Sequence, residues 1–186
     1  MITRQAVTAE QFYEIPEVPG KRFELVNGEV IEVPFASHMH ARLVKALFLL
    51  LHAFVVERNL GEVFGDGLGS IITRMPDSVR GPDISFLAKE HVPDEDFPGF
   101  VPFAPDLAVE IVSPNDRPNE VHDKVDQYLA AGTGLVWVLW PKTSSVSVFG
   151  PGGANGQFGS EDELDGGEVL PGFSVRIADL FDVRRR

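Results

Sequence analysis

There is no cysteine in the sequence. That excludes a disulfide scaffold, thiolate zinc sites, iron–sulfur clusters and a cysteine nucleophile, and leaves Asp, Glu, His, Lys and Ser as the chemical inventory. Basic residues are scarce as well: 16 Lys and Arg stand against 28 Asp and Glu, a formal net charge of −12. A protein that coats nucleic acid without sequence preference needs a basic face, so that class is excluded, whereas an enzyme whose site is itself acidic is not. No uninterrupted apolar run approaches the roughly 18 residues of a membrane span. One of the longest, residues 46–51, runs into His52 and soon into Glu57 and Arg58. Residues 1–5 hold no basic segment leading into an apolar one, so no signal peptide is expected and a cytoplasmic address is the expectation.

What is present reads as an ordinary globular chain, 44% apolar and 24% charged over 186 residues. That length suits one domain with one core. We expect a single domain over residues 1–186, with residues 1–20 as an N-terminal helix and lead-in and residues 182–186 as a disordered tail.

The local signals give an element order. Thr8 and Gln11 form a capping box for a short helix over about residues 9–15, stopped by Pro16. Asn27-Gly28 between two alternating runs predicts a two-residue type I′ hairpin. Its register puts Val26 opposite Glu29, Leu25 opposite Val30 and Glu24 opposite Ile31. Ser37 caps a helix over about residues 38–58, with Leu43, Leu47, Leu50, Leu51 and Phe54 at helical spacing and Asn59 and Gly61 at its end. Strands are expected at 62–64, 70–73, 83–87, 107–112, 135–140 and 146–149, and a helix at 118–131. Residues 89–105 read as a surface loop, residues 150–160, with five glycines, as a flexible loop tip, and residues 169–170 and 174–177 as closing strands. This order is α/β or α+β, a mixed sheet flanked by helices, with a parallel crossover from residues 107 to 139.

Several residues carry chemistry. Asp83 opens one apolar strand, and Glu110 lies inside another, where an unpaired carboxylate costs several kcal/mol. A divalent cation shared by the two acids is one remedy; a structural ion pair with an Arg or Lys is the other. Lys124 flanks the helical stripe of Val121, Val125, Tyr128 and Leu129, beside Tyr128 at i+4. It either snorkels toward the preceding strand or covers its helix neighbours. In either case methionine in its place is expected to leave the melting temperature near that of the parent. By the hairpin register Glu24 shares a face with Val26, Ile31 and Val33, an acid on the more apolar side. His38 and His40 open a helix with their rings about 160° apart, which disfavours a zinc pair and leaves His40 as an inward-facing first-turn histidine. Gly65-Asp66-Gly67-Leu68-Gly69 looks like a phosphate loop, but a strand rather than a helix follows it, so that reading is dropped.

Taken in order, Arg22-Phe23-Glu24-Leu25-Val26-Asn27-Gly28-Glu29-Val30, His40, Gly81-Pro82-Asp83-Ile84-Ser85-Phe86, Pro105-Asp106-Leu107-Ala108-Val109-Glu110-Ile111-Val112-Ser113-Pro114, and Lys124 with Tyr128 and Gly132 form a specific pattern. It resembles the Uma-two family of restriction-endonuclease-like proteins, a branch of the PD-(D/E)XK nuclease superfamily, from about Thr8 to Phe181. The resemblance implies a restriction-endonuclease-like fold and Mg²⁺-dependent (or Mn²⁺-dependent) hydrolysis of DNA. It implies that Asp83 and Glu110 hold the metal and that Glu24 adds to the acidic site. The lysine of the superfamily belongs two residues after the second acid, where this chain has Val112, and Lys124 on the next helix is its implied replacement. His40 matches a family position as a possible accessory residue.

Arg22, Arg42, Lys45, Arg74, Arg80 and Arg117 are the candidate phosphate contacts, and Arg184-Arg185-Arg186 a candidate arm. Phe97, Phe100 and Phe103 suggest an apolar patch and a homodimer. A catalytically silent binding or regulatory module on the same fold, and a hydrolase of small phosphate esters, stay open beside the nuclease.

Overall fold

The computed structural model describes residues 6–65, 67–95, 98–114, 116–151 and 153–182. Helix α1, Ala9–Tyr13, starts at the expected capping box, with both of its hydrogen bonds made. It is pinned by a distant residue: Asp77 Oδ2 accepts the Ala9 N–H at 2.8 Å. Strands β1 (Arg22–Val26) and β2 (Glu29–Val33) pair in the expected register, Val26 with Glu29 and Glu24 with Ile31. Asn27 and Gly28 take the positive φ values, 50° and 77°, that a type I′ turn requires.

Helix α2, His38–Arg58, begins at Ser37, whose side chain accepts the His40 N–H, and stops at Asn59 in the left-handed conformation. By length and composition alone it is long and apolar enough to cross a membrane. Here it lies on the sheet, burying His40, Leu43, Ala46, Leu47, Leu51 and Val55.

Two sheets follow from the remaining strands: β3 (Gly61–Gly65), β4 (Ser70–Thr73), β5 (Ser78–Arg80), β6 (Ile84–Ala88), β7 (Leu107–Ile111), β8 (Leu135–Trp140), β9 (Ser145–Gly150) and β10 (Gly153–Phe158). The smaller sheet runs β2-β1-β5-β4 and the larger β10-β9-β8-β7-β6-β3. In the larger sheet β7 and β8 are parallel, joined through α3, Pro118–Ala130, as the strand–helix–strand pattern requires. A short ribbon of β11 (Glu163–Asp165) with β12 (Ser174–Arg176) and a last helix α4, Ile177–Phe181, complete the described chain.

Three expectations change, and strand β5 is an addition to them. The glycine-rich stretch near residue 155 is strand β10, paired antiparallel with β9 across a bulge at Ala154 and Gly156; an available edge strand supplies the order that glycine alone does not. Residues 169–170 lie in a turn, and β11 takes the place beside β12. Strand β5, with only three residues, showed no alternation to read, and its pairing to both β1 and β4 fixes it. Phe100 and Phe103 form no shared outward patch. Phe100 stacks on Phe12 at 5.5 Å and meets Tyr13 edge-on, and Phe103 tilts against His91. Phe97, Asp66 and residues 183–186 lie outside the described residues.

Candidate active site

Strand β7 places alternate side chains on opposite faces of the large sheet. Leu107, Val109 and Ile111 join the main core with Leu43, Leu47 and Trp137, whereas Ala108 packs with Val121, Val125 and Tyr128 of α3. Glu110 falls on the α3 side and is buried there. Its Oε1 accepts the Tyr128 hydroxyl at 2.8 Å and its Oε2 accepts the Lys124 ammonium at 3.1 Å. Both α3 residues reach the same carboxylate because i and i+4 share a helix face.

Lys124 Nζ also lies 3.3 Å from Glu24 Oε1, across the gap between the two sheets. Glu24 Oε2 takes the Arg80 guanidinium at 2.5 Å, and Arg80 Nε donates to Gln127 Oε1 at 3.0 Å. Both members of the Glu24–Arg80 pair are buried. Asp83 precedes β6 and so stays outside the ladder. Its Oδ2 accepts the Ile111 N–H at 2.7 Å, and its Oδ1 faces His40 Nε2 at 2.9 Å. With Asp83 ionised, Nε2–H is the donor, which leaves His40 Nδ1 to accept from the Ser113 hydroxyl at 3.3 Å.

Glu24, His40, Asp83, Glu110 and Lys124, singled out in the sequence, therefore line one cleft of about 450 Å³ together with Val112. Of the two remedies for a buried Glu110, the structure makes the ion pair, with Lys124 Nζ 3.1 Å from Glu110 Oε2. Arg80 needs correction: it is consumed by Glu24 and Gln127 rather than held out for a phosphate. Arg74 likewise bridges Glu10 and Asp77. By spacing Tyr128 read as part of an apolar stripe beside Lys124, and the family pattern paired it with Lys124, but neither reading gave its hydroxyl a partner, although a buried tyrosine hydroxyl needs one. Nothing local in the sequence linked Gln127 or Ser113 to the site.

Formally, three carboxylates face two cations. Burial pushes the Glu110 carboxyl up to about 7, against the pull of Lys124, and the charges of Asp83 and Glu24 add to the rise. For Lys124, burial works to lower the pKa, but attraction to Glu110 and Glu24 overrides it and holds the ammonium above the ordinary lysine range. Burial and the negative neighbours raise the Tyr128 phenol well above its usual value, so it stays a donor. Among the described residues no three His, Asp or Glu side chains stand close enough together to ligate an ion as they are. Mg²⁺ does not require such a cage, being held by one or two carboxylates with water and substrate phosphate. The oxygen donors of Asp83 and Glu110, in a site with one carboxylate in excess, fit a hard cation.

The mixed sheet has helices on both faces, with Asp83 just before β6 and Glu110 near the end of the adjacent β7, the architecture of a restriction-endonuclease-like fold. A family model described as "Putative restriction endonuclease", Uma2, matches residues 9–179. The chain belongs to that Uma-two family. A solved structure titled as a putative nuclease of the DUF820 family from Anabaena variabilis superposes with a TM-score of 0.83 at 22% identity, covering 95% of this chain and 98% of that one. No curated protein matches the chain.

Proposed function

We propose that this protein is a divalent-metal-dependent endonuclease that hydrolyses DNA phosphodiester bonds in the Glu24–Asp83–Glu110–Lys124 cleft. One observation supports the reading: Lys124, from α3, reaches Glu110 at 3.1 Å, where it would supply the positive charge that Val112 does not. Asp83 and Glu110 would hold Mg²⁺ or Mn²⁺, which when bound supplies Lewis acidity and charge neutralisation at the scissile phosphate. Lys124 orients the attacking water or stabilises negative charge on the pentacovalent phosphorus. Tyr128 keeps Glu110 turned toward the cleft, and His40 does the same for Asp83. Glu24, itself held by Arg80, fixes the position of Lys124.

Incubation of supercoiled plasmid with the protein and Mg²⁺ or Mn²⁺ tests this. Nicking or linearisation is expected, absent in EDTA and absent in Asp83→Asn. Metal binding with no cleavage would select the silent binding module, and hydrolysis confined to small phosphodiesters the ester hydrolase.

A further inference from the structure

A second cavity, about 780 Å³, opens beside the cleft and shares Arg22, Glu24, Val33 and Gly81 with it. Its chemistry differs from that of the cleft. The walls include the rings of Phe12, Tyr13, Phe23 and Phe100, with Lys21 among them. Phe12 and Phe100 stack at 5.5 Å, and Tyr13 stands edge-on to Phe100 at 5.5 Å, so the rings brace one another. Tyr13 nonetheless stays 47% exposed. Gly81 lines both cavities, and a side-chain carbon added to it would meet only the Leu68 carbonyl, at 3.6 Å.

Aromatic faces bind bases of any sequence once those bases are unstacked, whereas in a duplex each base face is already covered by its neighbours. On the nuclease reading, the charge pattern shifts the source of affinity from phosphate neutralisation to stacking. With a net charge of −12, Lys21 paired to Glu32 at 2.6 Å and Arg80 paired to Glu24, little is left to neutralise a phosphate backbone. Stacking supplies affinity without positive charge. We propose that this groove takes an unpaired stretch of DNA, bases against the Tyr13 side, and leads its backbone past Gly81 into the carboxylate cleft. The inference rests on the nuclease reading and narrows its substrate to single-stranded or locally melted DNA.

Fluorescence anisotropy of the full chain without divalent ions tests it, using a labelled oligo-dT of about twelve nucleotides and a duplex of equal length. Oligo-dT is expected to bind at least about tenfold more tightly than the duplex. Tyr13→Ala should weaken that binding about tenfold, and Tyr13→Phe, which keeps the ring, should restore it to within about twofold. The slope of log affinity on log salt should be shallower than about −2. Photocrosslinking of an iododeoxyuridine oligonucleotide to the parent chain, expected at Tyr13, Phe12 or Phe100, needs no variant to fold. Equal binding of duplex, a folded Tyr13→Ala with parental affinity, or crosslinks confined to other surfaces would overturn the proposal. Tyr13-dependent binding with no cleavage of any DNA would keep the groove and remove the nuclease reading. Duplex cleavage indifferent to Tyr13 would do the reverse.

Discussion

The two faces of strand β7 carry opposite chemistry. Leu107, Val109 and Ile111 point toward α2 into the main apolar core with Leu43, Leu47, Leu51 and Trp137. One residue along the chain, Glu110 points toward α3 into a buried network of Lys124, Tyr128, Glu24 and Arg80. The first face stabilises the fold by removing apolar area from water, about 25 cal/mol per Å². The second holds charged groups in a partly desolvated cleft, where each needs a partner and the carboxylates outnumber the cations. A period of two along one strand thus separates the residues that hold the structure together from those that put it under electrostatic load.

The widest gap between the faces is expected in cleavage. Glu110→Gln should lower DNA cleavage by at least about 100-fold with the fold intact. Leu47→Ala, on the other face, should cost about 3 kcal/mol of stability and leave the rate per folded molecule unchanged. Urea melts and plasmid-nicking rates on the two variants make the comparison.

Lys124→Met is next, and it should move both quantities. The ion pairs to Glu24 and Glu110 mean that preserving the apolar stem is not enough, contrary to the expectation from helix spacing alone. Cleavage should fall about 100-fold, and stability near neutral pH by about 2–3 kcal/mol, because two buried carboxylates lose a partner. The stability deficit should depend on pH with a defined sign. Glu110 has a raised carboxyl pKa, about 7 against an ordinary 4.5, so its contribution is complete below about 4.5 and is lost as the pH rises through about 7. Above that point the parent ionises Glu110 against Lys124 and the variant cannot. Thermal melts from about pH 5 to 9 should therefore show the deficit widening above about pH 7.

A smaller effect is expected from metal alone. Millimolar Mg²⁺ or Mn²⁺ should raise the melting temperature of the parent by a few degrees through mass action on the folded state. The shift should vanish in Asp83→Asn and persist in Leu47→Ala, which would tie it to the α3 face. The smallest effect lies away from the cleft, at the half-exposed His91. Its hydrogen bond to Asp106 raises its pKa, so its contribution is present below about 6.5 and lost as the pH rises through its raised value. His91→Asn should lower the melting temperature by about a degree at pH 6, less at pH 8, and leave cleavage alone.

The comparison also shows what the sequence made legible. The hairpin register was readable because Asn27-Gly28 favours a type I′ turn; it put Glu24 with Val26, Ile31 and Val33, a face that lines the cleft, whereas Leu25 and Val30 on the other face pack the apolar cluster with Val79, so the face of Glu24 is not the more apolar one. Helix α2 was readable from its cap, its apolar spacing and Asn59. Glu110 stood out because a carboxylate breaks an apolar strand. Arg80 was misread because β5 is three residues long and gains its position only from pairing with β1 and β4. Lys124 was ambiguous on spacing, since one of its two partners, Glu24, is 100 positions away. Strand β10 was missed because glycine carries no strand preference and its order comes from β9.

Anomalous scattering from crystals of the parent and of Glu110→Gln soaked in Mn²⁺ tests the central claim most directly. The account predicts a manganese peak between the Asp83 and Glu110 carboxylates in the parent and none at that position in the variant. A parent with no peak there, or with its only peak elsewhere while plasmid cleavage persists, would contradict it.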